Sequence, residues 1–266
     1  MSVCETHPGS SAAVDDVRRH RVVSAVQLAA AVVEGVALST IVVHATTHLG
    51  LVPAAVGVVL AVAGVAALGA AVPLGAVADR IGLRASATIF GVGSAAALAG
   101  YTVADSLLGY AVAAICFAVS QAAYRSIRQA LAVYAAAPAT RLGIRATMHT
   151  LLNVGFGLGT VIGGLVTFVG TDEAFRTAYW VAAGIATLTA FATIALPRTA
   201  VRRQERASRG VLTALRDRRF AAATLLAEIV QLTMPVLTVL LPVWYSPTPT
   251  DRGGYPARPW HSTRRW

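Results

Sequence analysis

Charge is scarce in this 266-residue chain: only 13% of residues are Asp, Glu, Lys or Arg, against 56% hydrophobic. A water-soluble domain of this size carries roughly 25% charged residues to cover its surface, so the composition excludes an ordinary soluble fold. Lysine is absent and all basic residues are Arg; this fits a GC-rich coding bias and carries no chemistry by itself. Cysteine is reduced to Cys4 and Cys116, one in a polar segment and one in an apolar run. That pair gives no disulfide framework. No Cys-x-x-Cys or His-x-x-x-His spacing occurs, so no metal centre is expected. Walker, Gly-x-Ser-x-Gly and His-Glu-x-x-His patterns are missing too. Their absence argues against a nucleotide-driven pump and against the common hydrolases, and no cofactor is expected.

What the chain has instead is long uncharged runs. Between Glu34 and Asp79 there is no Asp, Glu or Arg, and the same holds for 85–104, 106–124, 146–171 and 177–197. A bilayer core takes about 20 apolar residues as helix. Seven spans are predicted, at 22–46, 53–77, 85–104, 107–127, 146–169, 176–196 and 220–243. Lipid offers no water to an open strand edge, so the expected class is an all-α polytopic membrane helix bundle. The first span is too long for a signal-peptide core of roughly 7–15 residues and is read as an uncleaved helix.

Arginine sets the expected orientation. Arg18, Arg19 and Arg21, then Arg80 and Arg84, then Arg125, Arg128, Arg141 and Arg145, then eight arginines from Arg198 to Arg219, all fall on one side of the predicted spans. The short loops of the other side hold Arg176 beside Asp172 and Glu173. The positive-inside rule then makes the N-terminus cytoplasmic in a multi-pass cell-membrane protein. The net charge of +10 is dispersed between apolar spans, which speaks against nucleic acid as a partner.

The expected organisation is a cytoplasmic segment 1–21, a six-helix bundle 22–196, a basic cytoplasmic linker 197–219, a seventh helix 220–243 and an irregular tail 244–266. From Tyr245 onward there is no Leu, Val or Ile, but four Pro, four Arg and two Trp. One reading is a disordered outer tail. The other is a frame change near Trp244 that truncates the coding sequence.

The turn Gly75-Ala-Val-Ala-Asp79-Arg80-Ile-Gly82-Leu-Arg84 joins the second and third spans. Gly82 can supply the positive φ that such a turn needs. Asp79 can cap the next helix or pair with an Arg. This stretch resembles the loop after the second helix of the major facilitator superfamily, which reads roughly G-x-L-x-D-R-x-G-R-R. Val77 replaces the Leu, and Leu83 the first closing basic residue. The resemblance implies that Gly75, Asp79, Arg80, Gly82 and Arg84 form a gating latch on the inner face; the competing reading is an ordinary charged loop. Gly155, Gly159 and Gly163 recur every four residues, with Gly164 beside them, and suit close helix packing. That stretch resembles the fifth-helix signature of the family's antiporters, with Thr160 where the pattern has Pro. Its small-residue face is also a candidate for self-association. Arg141-Leu-Gly-Ile-Arg145-Ala resembles the family's second inner-loop signature.

Four polar residues are candidates for substrate contact or proton coupling. Glu34 lies near the middle of span one, where a carboxylate costs a few kcal/mol and should face a cavity or a partner. Gln27 and Ser24 share its face. Arg125, with Arg128, ends span four; it either anchors the helix by snorkelling to the interface or pairs with an acid. Glu228 sits in span seven with Gln231. His44 and His48 are expected at a surface or in a loop.

The resemblance covers about residues 18–243 and implies two six-helix bundles around a cavity, built from inverted repeats. This chain then supplies the first bundle and one further helix. The resemblance implies secondary transport by alternating access, with proton-coupled efflux of a small organic molecule as the expected activity. The partners would be that substrate, the lipid bilayer, and a separately encoded C-terminal half or a second copy. Two alternatives stay open: an inactive truncated product, and a membrane interaction protein that sets its basic linker on anionic lipid.

Overall fold

The computed structural model describes residues 9–134 and 140–195, with two isolated positions, 222 and 226. The six described helices all fall within one compact unit. The whole basic linker 197–219 and the tail lie outside the described residues, as does the predicted seventh span with its Glu228 apart from positions 222 and 226.

Six α-helices follow one another: α1 Gly9–Thr47, α2 Pro53–Ile81, α3 Leu83–Tyr101, α4 Leu107–Tyr134, α5 Arg141–Val169 and α6 Asp172–Ala192. A 3-10 turn, Thr193–Ala195, ends the series. Among the described residues there is no strand. Five of the helices are long and apolar enough to cross a membrane. Helix α6 is not among these five; its first turns carry Asp172, Glu173 and Arg176.

The helices outrun the predicted apolar spans because the charged residues at their ends stay helical. Asp79 and Arg80 complete the last turn of α2, and Arg84 opens α3. Only Gly82 interrupts them, at φ 90° and ψ 150°. That region is open essentially to glycine alone. Thr171 does cap α6, accepting from the Ala174 N–H. No such side chain caps α3, so Asp79 does not serve there.

Packing is built on small residues. Helix α1 lies against α5 and α6, α6 against α3, α3 against α4, and α4 against α2. The α1–α5 crossing is the closest. A Cβ on Gly155 would stand 2.7 Å from both Ala31 Cβ and Leu28 O. One on Gly159 would overlap the Val32 carbonyl, and one on Gly163 the Ser39 hydroxyl. Gly35 on α1 meets the α5 backbone at Phe156 in the same way. Backbones that approach this closely gain dispersion over their length. The glycine face is therefore covered by α1 of the same chain, which corrects its reading as a self-association surface. Gly164 meets nothing within 4 Å and takes no part in this crossing.

Two apolar clusters fill the bundle. One gathers Ile41, Leu98, Tyr101, Tyr110, Phe117, Phe175 and Tyr179. The other gathers Val23, Ala87, Tyr124, Ile127, Leu131 and Met148. Outside them Val58, Val62, Val65, Leu68 and Val72 of α2 and Val161, Leu165 and Phe168 of α5 are exposed. A surface this apolar is stable where lipid is the solvent.

The crossing gives a direct test. Gly159→Ala should destabilise the bundle by about 1–3 kcal/mol, the usual cost of overpacking, because Val32 offers backbone rather than a movable side chain. Gly157→Ala, with open space at its Cβ, should leave thermal unfolding in detergent unchanged. Equal melting temperatures for both variants would refute the close α1–α5 contact.

Candidate functional site

Helix α1 carries Glu34 between the two apolar clusters, with only 4% of its surface exposed. Each carboxylate oxygen has a partner on α4. Arg125 Nη2 pairs with Glu34 Oε1. Gln121 Nε2 donates to Glu34 Oε2 at 3.3 Å. Gln121 is held in turn, since Ser94 Oγ of α3 donates to its Oε1 at 3.1 Å. The result is a chain, Ser94–Gln121–Glu34–Arg125, across three helices. Residues 121 and 125 sit one helical turn apart, so a single face of α4 presents an amide and a guanidinium to one carboxylate.

The two ends of the ion pair differ in access. The Glu34 side chain is 5% exposed and that of Arg125 is 42% exposed. The carboxylate is enclosed, while its partner reaches the open side. Helices α1 and α4 approach each other at few other positions, so this link is a principal tie between them.

Toward the other apolar cluster lie Gln27 and Arg128. Gln27 is buried and its Nε2 donates to Met148 O at 3.3 Å. Arg128 is 4% exposed; it does not snorkel outward as its place in the sequence suggests. Its guanidinium carbon lies 4.7 Å from the centroid of the Tyr124 ring, a cation–π contact. The Ser24 hydroxyl is buried without a hydrogen-bond partner.

The gating-loop candidates are placed apart from this chain of polar groups. Asp79 and Arg80 are exposed, and no ion pair within the described residues includes Asp79. Asp79 thus does not cap α3, and among the described residues it forms no ion pair with an Arg. At the opposite end of the bundle His44 is buried, contrary to the expected surface position. Its Nε2 lies 3.0 Å from Asp172 Oδ1, and its ring stacks on Phe175 at 5.0 Å. The Asp172 carboxyl is held below its usual range, first by the His44 hydrogen bond and then by Arg176. This contact ties α1 to the start of α6. An apolar groove of about 550 Å³ between α1, α5 and α6 is lined by Val32, Val36, Ile162, Val166, Val181 and Ile185; Glu34 does not reach it.

Helices of membrane length around a buried, charge-paired centre describe a bundle made for lipid. Residues 23–249 match the family model of the Major Facilitator Superfamily. The chain belongs to this superfamily. It is thus a multi-pass membrane transporter of the major facilitator type by family. No curated protein gave a match to the sequence. Among the described residues no group of three or more His, Cys, Asp or Glu could hold a metal ion.

The site's tie is measurable by a double-mutant cycle. Glu34→Gln leaves a guanidinium without its counter-ion, and Arg125→Gln leaves a buried carboxylate without one. Each single variant should lose more stability than the pair together, with a coupling of about 1–3 kcal/mol. Additive losses in thermal unfolding would show that the two groups do not support each other.

Proposed function

We propose that this superfamily member is a secondary transporter that couples proton movement to efflux of a small organic molecule by alternating access. The observation that carries the reading is Glu34. It is a carboxylate with 4% exposure, in a helix of membrane length, whose partner Arg125 is half-open. Keeping a charge at that depth costs a few kcal/mol unless it is paired. Protonation of Glu34 would dissolve the ion pair and leave Arg125 free to meet substrate. Loss of the proton would restore the pair and expel it. Gln27 and, in the seventh span, Glu228 are the further contacts in this scheme. The arginine distribution supports a cytoplasmic N-terminus in the cell membrane.

In the same proposal the 75–84 stretch latches the inner face. Asp79 and Arg80 are exposed, which leaves them available to helices outside the described bundle. The opposite wall of the cavity comes from such helices, or from a second copy of the chain. Lipid surrounds both.

The test uses proteoliposomes loaded with the pH dye pyranine, given a pH step and a panel of small organic anions and cations. At least one compound should evoke proton flux. Glu34→Gln should abolish that flux and retain substrate binding; flux equal to wild type in Glu34→Gln would sink the coupling role.

The latch predicts a second result. Asp79→Asn should cut transport at least tenfold at unchanged membrane abundance, since its exposed position places no cost on folding. Wild-type transport in Asp79→Asn returns the loop to an ordinary inner turn.

A further inference from the structure

Arg128 is the one guanidinium among the described residues that is both fully buried and unmatched. Its Nε, Nη1 and Nη2 atoms are enclosed and none has a hydrogen-bond partner. Glu34 does not serve it: its oxygens meet Arg125 and Gln121, and no Arg128 nitrogen has a partner. Gln27 Oε1 is likewise buried and unpartnered. Both side chains line one small cavity, together with Val23, Val26, Leu131, Met148 and Thr193, whose hydroxyl donates to Ala190 O. Breaking or omitting the partner of a buried charge is strongly destabilising, which makes a lone guanidinium at this depth a group that waits for an anion.

Charge balance gives the sign of that partner. The buried polar stripe of α1 and α4 holds one carboxylate, Glu34, and two guanidinium groups, Arg125 and Arg128. One positive charge is left over. A cation arriving there meets net repulsion in a medium of low dielectric, where charges are screened least. An oxyanion meets a planar donor fork suited to two-pronged contact. The Tyr124 ring lies against that fork on one side, 4.7 Å from the guanidinium carbon to the ring centroid. Gln27, tethered through Nε2 to Met148, keeps its Oε1 available to a donor on the same ligand.

We propose that Arg128 and Gln27 form an oxyanion subsite, and that the small organic molecule carried is an anion with a carboxylate or phosphate head. This rests on the transport reading above and names the substrate class for it. The cavity measures about 10 Å³ here, roughly the room of one water. The oxyanion therefore enters when α1 and α4 part, and their few contacts permit this.

The test is isothermal titration of the full chain in phosphatidylcholine nanodiscs with sodium benzoate, inorganic phosphate and tetramethylammonium. Benzoate or phosphate should bind saturably. Affinity should fall at least tenfold in Arg128→Gln and stay at the wild-type value in Arg21→Gln, an exposed arginine. Should Arg128→Gln fail to fold, Arg128→Lys keeps the charge and loses the fork, and about a tenfold loss is expected there. Benzoate binding without phosphate binding assigns the head as a carboxylate, and the reverse as a phosphate. Absence of saturable anion binding in wild type, unchanged affinity in both Arg128 variants, or preference for tetramethylammonium each overturns the proposal. Competition by phosphatidylglycerol in the discs would assign the oxyanion to a lipid headgroup and overturn the substrate class. Titration needs no transport: anion binding without proton flux leaves the subsite standing and sinks the transport reading, and flux without anion binding does the opposite.

Discussion

A carboxylate in the middle of a membrane helix must be answered by the protein, because lipid cannot answer it. That constraint organises this bundle. Glu34 draws Arg125 and Gln121 to one face of α4, and Gln121 draws Ser94 from α3. The strongest helix contacts run as a series, α5 to α1 to α6 to α3 to α4 to α2. Glu34 joins the two arms of that series directly, from α1 to α4. Removing one charge therefore acts on more than a local contact; it releases the cross-brace of the unit.

Close packing and charge pairing divide the work on α1. On one side, Gly35 and Ala31 meet Gly155 and Gly159 with backbone nearly touching backbone. Dispersion of this kind is insensitive to protonation. On the other side, the link to α4 is ionic and depends on the state of Glu34. A helix held rigidly on one flank and conditionally on the other will move with its rigid partner. In the proposed cycle α1 and α5 travel together, and the α1–α4 seam is where the bundle opens.

The sequence shows some of this and hides the rest for definite reasons. Bilayer thickness imposes apolar runs of about 20 residues, so the helices at 22–46, 53–77, 85–104, 107–127 and 146–169 can be read from charge spacing alone. Their ends cannot, because Asp79, Arg80 and Arg141 remain helical beyond the apolar run. Glu34 stands out as the lone charge before a long apolar stretch. Its partner is only half legible: Arg125 reads either as an interfacial anchor or as the mate of an acid, and the fold decides for Glu34; Ser94 looks like any small residue of α3. The glycine periodicity of α5 marks a packing face, yet its occupant is fixed by Gly35 and Ala31 on α1, which no spacing within α5 reveals. His44 is invisible as a buried group until Asp172, 128 positions later, comes within 3.0 Å.

Arg125 and Arg128 show why position in a helix is a weak guide to role. They lie three residues apart, at the same end of α4, with the same chemistry. One reaches a partly open face and is matched by Glu34. The other is enclosed, matched by no acceptor and supported by the face of Tyr124. A cation–π contact offsets about 2 kcal/mol when desolvated, less than the several kcal/mol that burial of an ion costs. Tyr124 alone cannot account for Arg128. In the proposal above the remainder comes from an anion that binds and leaves, and a transporter is the kind of protein in which a removable counter-ion has a use.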